Sequence, residues 1–321
     1  MSAEVQTKPG EGRPNQDVFS ETLLALARED KNILVVTSDS RGSGKLVPFA
    51  KALPSQLVEV GIAEQNLVGI AAGLASAGKK VFAVSPACFL TARALEQIKN
   101  DVAYSDQPVK LVGISAGVSY GALGSTHHSL HDLAVFRAIH NLIVVAPADN
   151  FETREAVKAA LAAPHPVYLR FGKLAMRPVH KDGAIFEIGK AITVRDGSDV
   201  AFLANGETVI HAVRAADELA AQGVRCRVVS VHTIKPLDTA AVLDAARKCK
   251  AIITVEEHSI HGGLGEACAA VLMQAGVKIP FKITGIPDEA TVNGSQLDIF
   301  RHYGISMEGL GESALEILRP K

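Results

Sequence analysis

The chain has 321 residues, 48% of them hydrophobic, with 33 basic and 34 acidic side chains and a formal charge of −1. That length accommodates two domains with separate cores, and the near-neutral balance removes any electrostatic case for nucleic acid or an anionic membrane surface. Cys88, Cys226, Cys249 and Cys268 lack Cys-x-x-Cys spacing, no apolar run could cross a bilayer, and the first residues lack a signal-peptide core; these exclude a zinc site and a disulfide framework and lead us to expect a cytoplasmic protein.

Residues 1–12 are a polar, Gly/Pro-rich lead-in. Phe19, Leu23, Leu24, Leu26 and Ala27 have helical spacing and predict a helix over 16–28. A continuous apolar run at 32–37 reads as a strand buried on both faces, and it ends in the polar loop 38–44, which holds Asp39 and Ser43. At 57–60 a β-branched run meets Gly61, and a helical pattern begins: Ile62, Leu67, Val68, Ile70, Ala71, Leu74, Ala75. Glu64 falls in the first turn, at the strand-to-helix junction where parallel α/β sheets bind ligands. Taken alone, a carboxylate there merely complements the helix dipole.

The alternation continues with a strand at 80–84, a helix at 89–104, a strand at 109–114 and a Gly/Ser/His-rich loop at 115–129. A strand at 142–145, a helix at 150–162 and a strand at 167–171 close the series. Pro178 and lost periodicity place a linker next. A second series follows, with strands at 199–204, 226–231 and 251–255 and helices at 207–222 and 239–248. Gly262-Gly263-Leu264-Gly265 then opens an Ala-rich helix ending near 274. The fold class is α/β, as two consecutive parallel-sheet domains at 13–175 and 191–321 joined by a linker at 176–190.

Four stretches carry a resemblance to the transketolase family: Gly61-Ile62-Ala63-Glu64-Gln65-Asn66, Ala87-Cys88-Phe89-Leu90, Gly124-Ser125-Thr126-His127-His128 and Leu169-Arg170-Phe171-Gly172. Their order and spacing resemble the family's pyrimidine-binding domain, and the remainder resembles its C-terminal domain. The resemblance implies thiamine diphosphate as cofactor. Glu64 would be the carboxylate that drives the aminopyrimidine to its imino form, with Ile62 beside it and Phe89 stacked on the ring. His127 would handle the substrate oxygen, with His128 as a second donor in place of the family's glutamine. Arg170 and Ser43 would grip an acceptor phosphate, and Asp39 would be structural. His131 is expected on the surface or at a helix start, and Leu90 and Leu95 in the core.

Two departures stand out. Leu123 replaces the family's aspartate that reads a substrate hydroxyl, and a Gly-Asp-Gly…Asn motif for magnesium diphosphate is missing, so this chain offers no metal ligands of its own. The chain therefore resembles the C-terminal half of a transketolase, the C-terminal subunit of a split enzyme. It would depend on an N-terminal partner carrying the diphosphate- and Mg2+-binding domain, as an α2β2 heterotetramer with β–β contacts. The activity implied is transfer of a two-carbon ketol unit from a ketose or ketose phosphate to an aldose or aldehyde. The alternatives are a beta-type subunit of a 2-oxo acid dehydrogenase, a pyruvate-using synthase similar to 1-deoxy-xylulose-5-phosphate synthase, and a non-catalytic assembly protein.

Overall fold

A computed structural model describes residues 12–319 of the chain, so nearly all of the expected lead-in lies outside the described residues. The first series runs β1 (Arg13–Pro14), α1 (Asn15–Glu29), β2 (Ile33–Thr37), α2 (Val47–Ala52), β3 (Leu57–Glu59), α3 (Glu64–Ser76), β4 (Lys80–Pro86), α4 (Ala87–Arg93), the single turn α5 (Leu95–Gln97) and β5 (Lys110–Ile114). Beyond the long loop come α6 (Asp132–Ala138), β6 (Ile143–Val145), α7 (Asn150–Ala162), β7 (Val167–Arg170) and β8 (Ala175–Met176). The second series runs β9 (Ile192–Arg195), β10 (Val200–Ala204), α8 (Val209–Ala221), β11 (Cys226–Ser230), β12 (Thr233–Lys235), α9 (Thr239–Lys248), β13 (Ala251–Ser259), α10 (Leu264–Gln274), β14 (Phe281–Ile286), α11 (Gln296–His302) and α12 (Met307–Ile317).

Seven strands form the first sheet in the order β12-β6-β7-β5-β4-β2-β3, parallel throughout except where β12 meets β6. Residues of β4 alternate between two cores. Val81 and Ala83 pack with α3 and α6, while Phe82 and Val84 pack with α1 and α7. Burial on both faces explains the continuous apolar run of each central strand. The second sheet has the order β14-β13-β10-β11-β9, with β9 as its antiparallel edge. Phe300 and Leu310, from α11 and α12, join α8 on one face, and Val242 and Cys268, from α9 and α10, cover the other.

Two local expectations are corrected. The single helix expected over 89–104 is α4, α5 and a π-helical stretch at Ile98–Tyr104. Leu90, Ala94, Ile98 and Val102 are all fully buried in one core, and their strict four-residue spacing exceeds the 3.6-residue turn of an α-helix. The wider π turn keeps the row facing inward. Ile62, expected to begin the apolar stripe of α3, precedes the helix and is 72% exposed.

A shared sheet ties the two series together. β12 belongs to the second half of the sequence, yet it completes the first sheet by pairing with β6, Thr233 opposite Val145. His232 reinforces this, its carbonyl accepting the Ala146 amide at 2.7 Å.

Candidate active site

The C-terminal ends of β7, β5, β4, β2 and β3 lie side by side, and the segments leaving them carry the residues of interest. Glu64 is the first residue of α3 and is only 4% exposed. Both of its carboxylate oxygens accept from Arg93 Nη1, at 3.2 and 3.1 Å, and the Arg93 guanidinium carbon lies 4.8 Å from the centroid of the Phe89 ring. Phe89 meets the His127 ring edge-on at 5.3 Å, and on its other side His127 meets Tyr120 edge-on at 5.4 Å. Lys173 Nζ caps the Tyr120 ring at 4.4 Å from its centroid. A continuous path therefore runs Glu64, Arg93, Phe89, His127, Tyr120, Lys173 along the strand ends.

His127 Nδ1 pairs with the Thr126 hydroxyl at 2.9 Å, which leaves Nε2 as the nitrogen free to meet another molecule. Burial, and after it the nearby Lys45 ammonium, push the Lys173 pKa below its ordinary value, so two cations stand close together at this end of the path. A cavity of about 470 Å³ opens at the Glu64 end, lined by Ile62, Ala63, Glu64, Gln65, Asn66 and Arg93. A larger cleft of about 640 Å³, between 179–184 and β9, is lined by none of the residues on this path.

Other expected site residues sit differently. Arg170 is not a free anion fork: it is 5% exposed, its Nε donates to Asp132 at 2.8 Å, and its Nη2 donates to the carbonyls of Ser129 and Glu257 at 3.2 and 2.8 Å. Asp132 also accepts from the Tyr168 hydroxyl at 2.7 Å. Burial alone would raise the Asp132 pKa, but Arg170 holds it below the ordinary value. His128 is buried, its Nε2 pairs with the Gly121 carbonyl at 2.9 Å, and burial lowers its pKa, so it braces the loop instead of presenting a second donor. Ser43 is half-buried, and its hydroxyl donates to the Ser40 carbonyl of its own loop at 3.2 Å. The Asp39 amide donates to Glu59 at 2.7 Å, and His131 directly precedes α6. Leu90 is fully buried and Leu95 packs on the same core.

The loop that holds His127 rests on the second domain. Gly117, at φ +62°, approaches Glu257 so closely that a Cβ would lie 2.2 Å from the carboxyl carbon, and a Cβ on Gly172 would lie 2.3 Å from that of Glu207. Only glycine fits at either point. The two carboxylates share one donor, Gln296 Nε2, at 2.8 Å each. Gly262-Gly263-Leu264-Gly265 holds no open anion cradle, because Glu256 accepts the Leu264 and Gly265 amides at 2.7 and 2.8 Å. The chain's own carboxylate fills the helix N-terminus where a phosphate would otherwise bind.

Sequence reading did not single out Arg93, Tyr120 or Lys173 as site residues. Arg93 and Glu64 are 29 residues apart and meet only through the fold; the signal on offer was the Arg-Phe-Gly-Lys run, which places a second cation three residues past Arg170.

Family comparisons agree with this architecture. Residues 12–178 match the transketolase pyrimidine-binding domain and residues 189–310 the transketolase C-terminal domain. The chain belongs to the transketolase family. It is 51% identical to one of the subunits of the apulose-4-phosphate transketolase of Phocaeicola vulgatus, over 94% of this chain and 96% of that one. It is 38% identical to the corresponding subunit from Actinobacillus succinogenes, over 94% and 97%. A solved split-gene transketolase, an inactive beta4 tetramer, superposes with a TM-score of 0.87 at 34% identity, covering 96% of this chain and 99% of that one. The chain thus corresponds to the C-terminal subunit of a split transketolase, in a thiamine-diphosphate-dependent family.

The residues fit the pyrimidine end of that cofactor. Glu64 is a buried carboxylate whose one charged partner among the described residues is a half-exposed arginine, that arginine covers the Phe89 ring, and a cavity lined by Ile62 opens beside Glu64. Among the described residues, no cluster of three His, Cys, Asp or Glu could hold a metal ion, and no helix is long and apolar enough to cross a membrane.

Proposed function

We propose that this chain works with an N-terminal subunit to move a two-carbon ketol unit from a phosphorylated ketose to an aldehyde. The observation that carries the reading is the gathering of Glu64, Phe89 and His127 at one edge of the first sheet, Arg93 linking Glu64 to Phe89 and Phe89 meeting His127. Thiamine diphosphate, when bound, supplies the electron sink that makes carbon–carbon cleavage accessible. Glu64 would hold the pyrimidine ring by accepting a hydrogen bond, Phe89 and Ile62 would pack against that ring, and His127 Nε2 would exchange a proton with the substrate oxygen beside the cleaved bond.

The partner subunit supplies the Mg2+ ligands and the diphosphate grip, in an α2β2 heterotetramer with contacts between the two C-terminal subunits, working in the cytoplasm. Lys173, with Lys45 nearby, takes the substrate's anionic tail in place of Arg170, since its ammonium has no carboxylate partner among the described residues. The names of the two relatives make apulose 4-phosphate the first donor to test.

The test is reconstitution with the N-terminal subunit, thiamine diphosphate and Mg2+. Ketol transfer from apulose 4-phosphate is expected only with both subunits present. Glu64→Gln keeps the unfolding midpoint and lowers turnover by orders of magnitude, because an amide cannot drive the imino tautomer. Turnover by the single chain would overturn the split reading, and near-normal turnover by Glu64→Gln would remove Glu64 from the chemistry.

A further inference from the structure

Arg93 lies across the two groups that the reading above gives to the cofactor. Its Nη1 holds both oxygens of the Glu64 carboxylate, and its guanidinium covers one face of the Phe89 ring. A ring nitrogen approaching Glu64 and a ring plane approaching Phe89 would both meet Arg93 first. The side chain can leave: it is 52% exposed while Glu64 is 4% exposed, and it is the last residue of α4. The pairing also has a cause in this subunit. A carboxylate buried to that degree needs a counter-charge, and Arg93 provides the one cation within ion-pair distance among the described residues.

We infer that Arg93 is a latch on the cofactor carboxylate: it pairs with Glu64 until the pyrimidine ring docks, then swings aside into solvent. The inference rests on the role proposed for Glu64 and adds a competitor to it. Only molecules with the latch open can accept the ring, so the apparent dissociation constant is the intrinsic one divided by the open fraction. A half-exposed ion pair is weak, so the penalty is about two- to fivefold.

The experiment titrates thiamine diphosphate at constant Mg2+ into the reconstituted two-subunit complex and reads binding, not turnover. Arg93→Met keeps the length and apolar stem of the side chain and removes the charge; it is expected to tighten binding about two- to fivefold. Arg93→Lys keeps an ammonium for Glu64 and should bind like the parent. In a Glu64→Gln background, the change of Arg93 to Met should tighten binding less than in the parent, because the charge that holds the latch is gone and only its cover over Phe89 remains. Unchanged or weaker binding by Arg93→Met overturns the latch. Full turnover by Glu64→Gln instead overturns the cofactor role of Glu64, so the two failures are told apart.

Discussion

Val118 donates its amide to the Glu257 carboxylate at 2.8 Å, joining the base of the His127 loop to the second domain. Glu257 in turn shares Gln296 with Glu207, whose carboxylate abuts Gly172, one residue before Lys173. One buried acid pair thus backs the two segments that bring His127 and Lys173 to the site.

That pair makes stability fall as pH rises. Burial, and then each other's charge, push Glu207 above the ordinary glutamate value of 4.5, to about 8, and burial pushes Glu257 up as well. Between those limits the native state holds protons that the unfolded chain has released, so unfolding free energy declines with pH across that window. Below 4.5 both states are protonated and the contribution levels off. Glu207→Gln removes one titrating group. Urea unfolding across this range should show a flatter decline for the variant, the difference being at most about 5 kcal/mol.

Arg170→Ala should cost about 3–5 kcal/mol of stability, because it leaves Asp132 charged, fully buried and without its cation. Denaturant midpoints measure this. A variant of undiminished stability with a raised Michaelis constant for phosphorylated donors only would return Arg170 to anion binding.

Lys173→Ala should behave in the opposite way. The residue is exposed, though its ammonium is partly shielded over the Tyr120 ring, and it makes no ion pair among the described residues, so the fold stays intact. Loss of a charge-assisted contact to an anionic tail raises the Michaelis constant for phosphorylated donors about 10- to 100-fold. Neutral, unphosphorylated ketoses should show little change, and an equal effect on both classes would exclude the anion role.

Leu123 is 56% exposed on the loop that ends in His127, and it cannot accept a hydrogen bond. A substrate hydroxyl facing it stays unpaired, at roughly 1–3 kcal/mol. The complex should therefore be weak on xylulose 5-phosphate with ribose 5-phosphate. Leu123→Asp should improve kcat/KM on that pair by about 5- to 100-fold. Efficient use of the standard pair by the parent complex would show that Leu123 is neutral.

Much of this was legible along the chain because burial leaves a pattern. Central strands read as apolar runs, and α7 begins where Asp149 accepts the Phe151 and Glu152 amides, a start signal carried by the residue type itself. β14, α11 and α12, beyond residue 274, went unread although their burial is largely apolar, and two further stretches hide their burial in polar residues. α6 opens with Asp132, and β13 continues past Val255 through Glu256, Glu257 and His258, all buried because partners satisfy them. The same blindness explains the site. Glu64, Phe89 and His127 stand in short runs with a recognisable order, whereas the commitment of Arg170 to Asp132 spans 38 residues and exists only once β7 meets α6.

The place of β12 bears on how such a gene can be divided. A break between the halves of this chain would separate β6 from its edge partner, baring a row of amides and carbonyls at the rim of the first sheet. A fragment ending near residue 178 would then offer other chains a template for strand addition. The seam between the two domains therefore runs through a sheet as well as through side-chain contacts such as Val118–Glu257 and Arg170–Glu257.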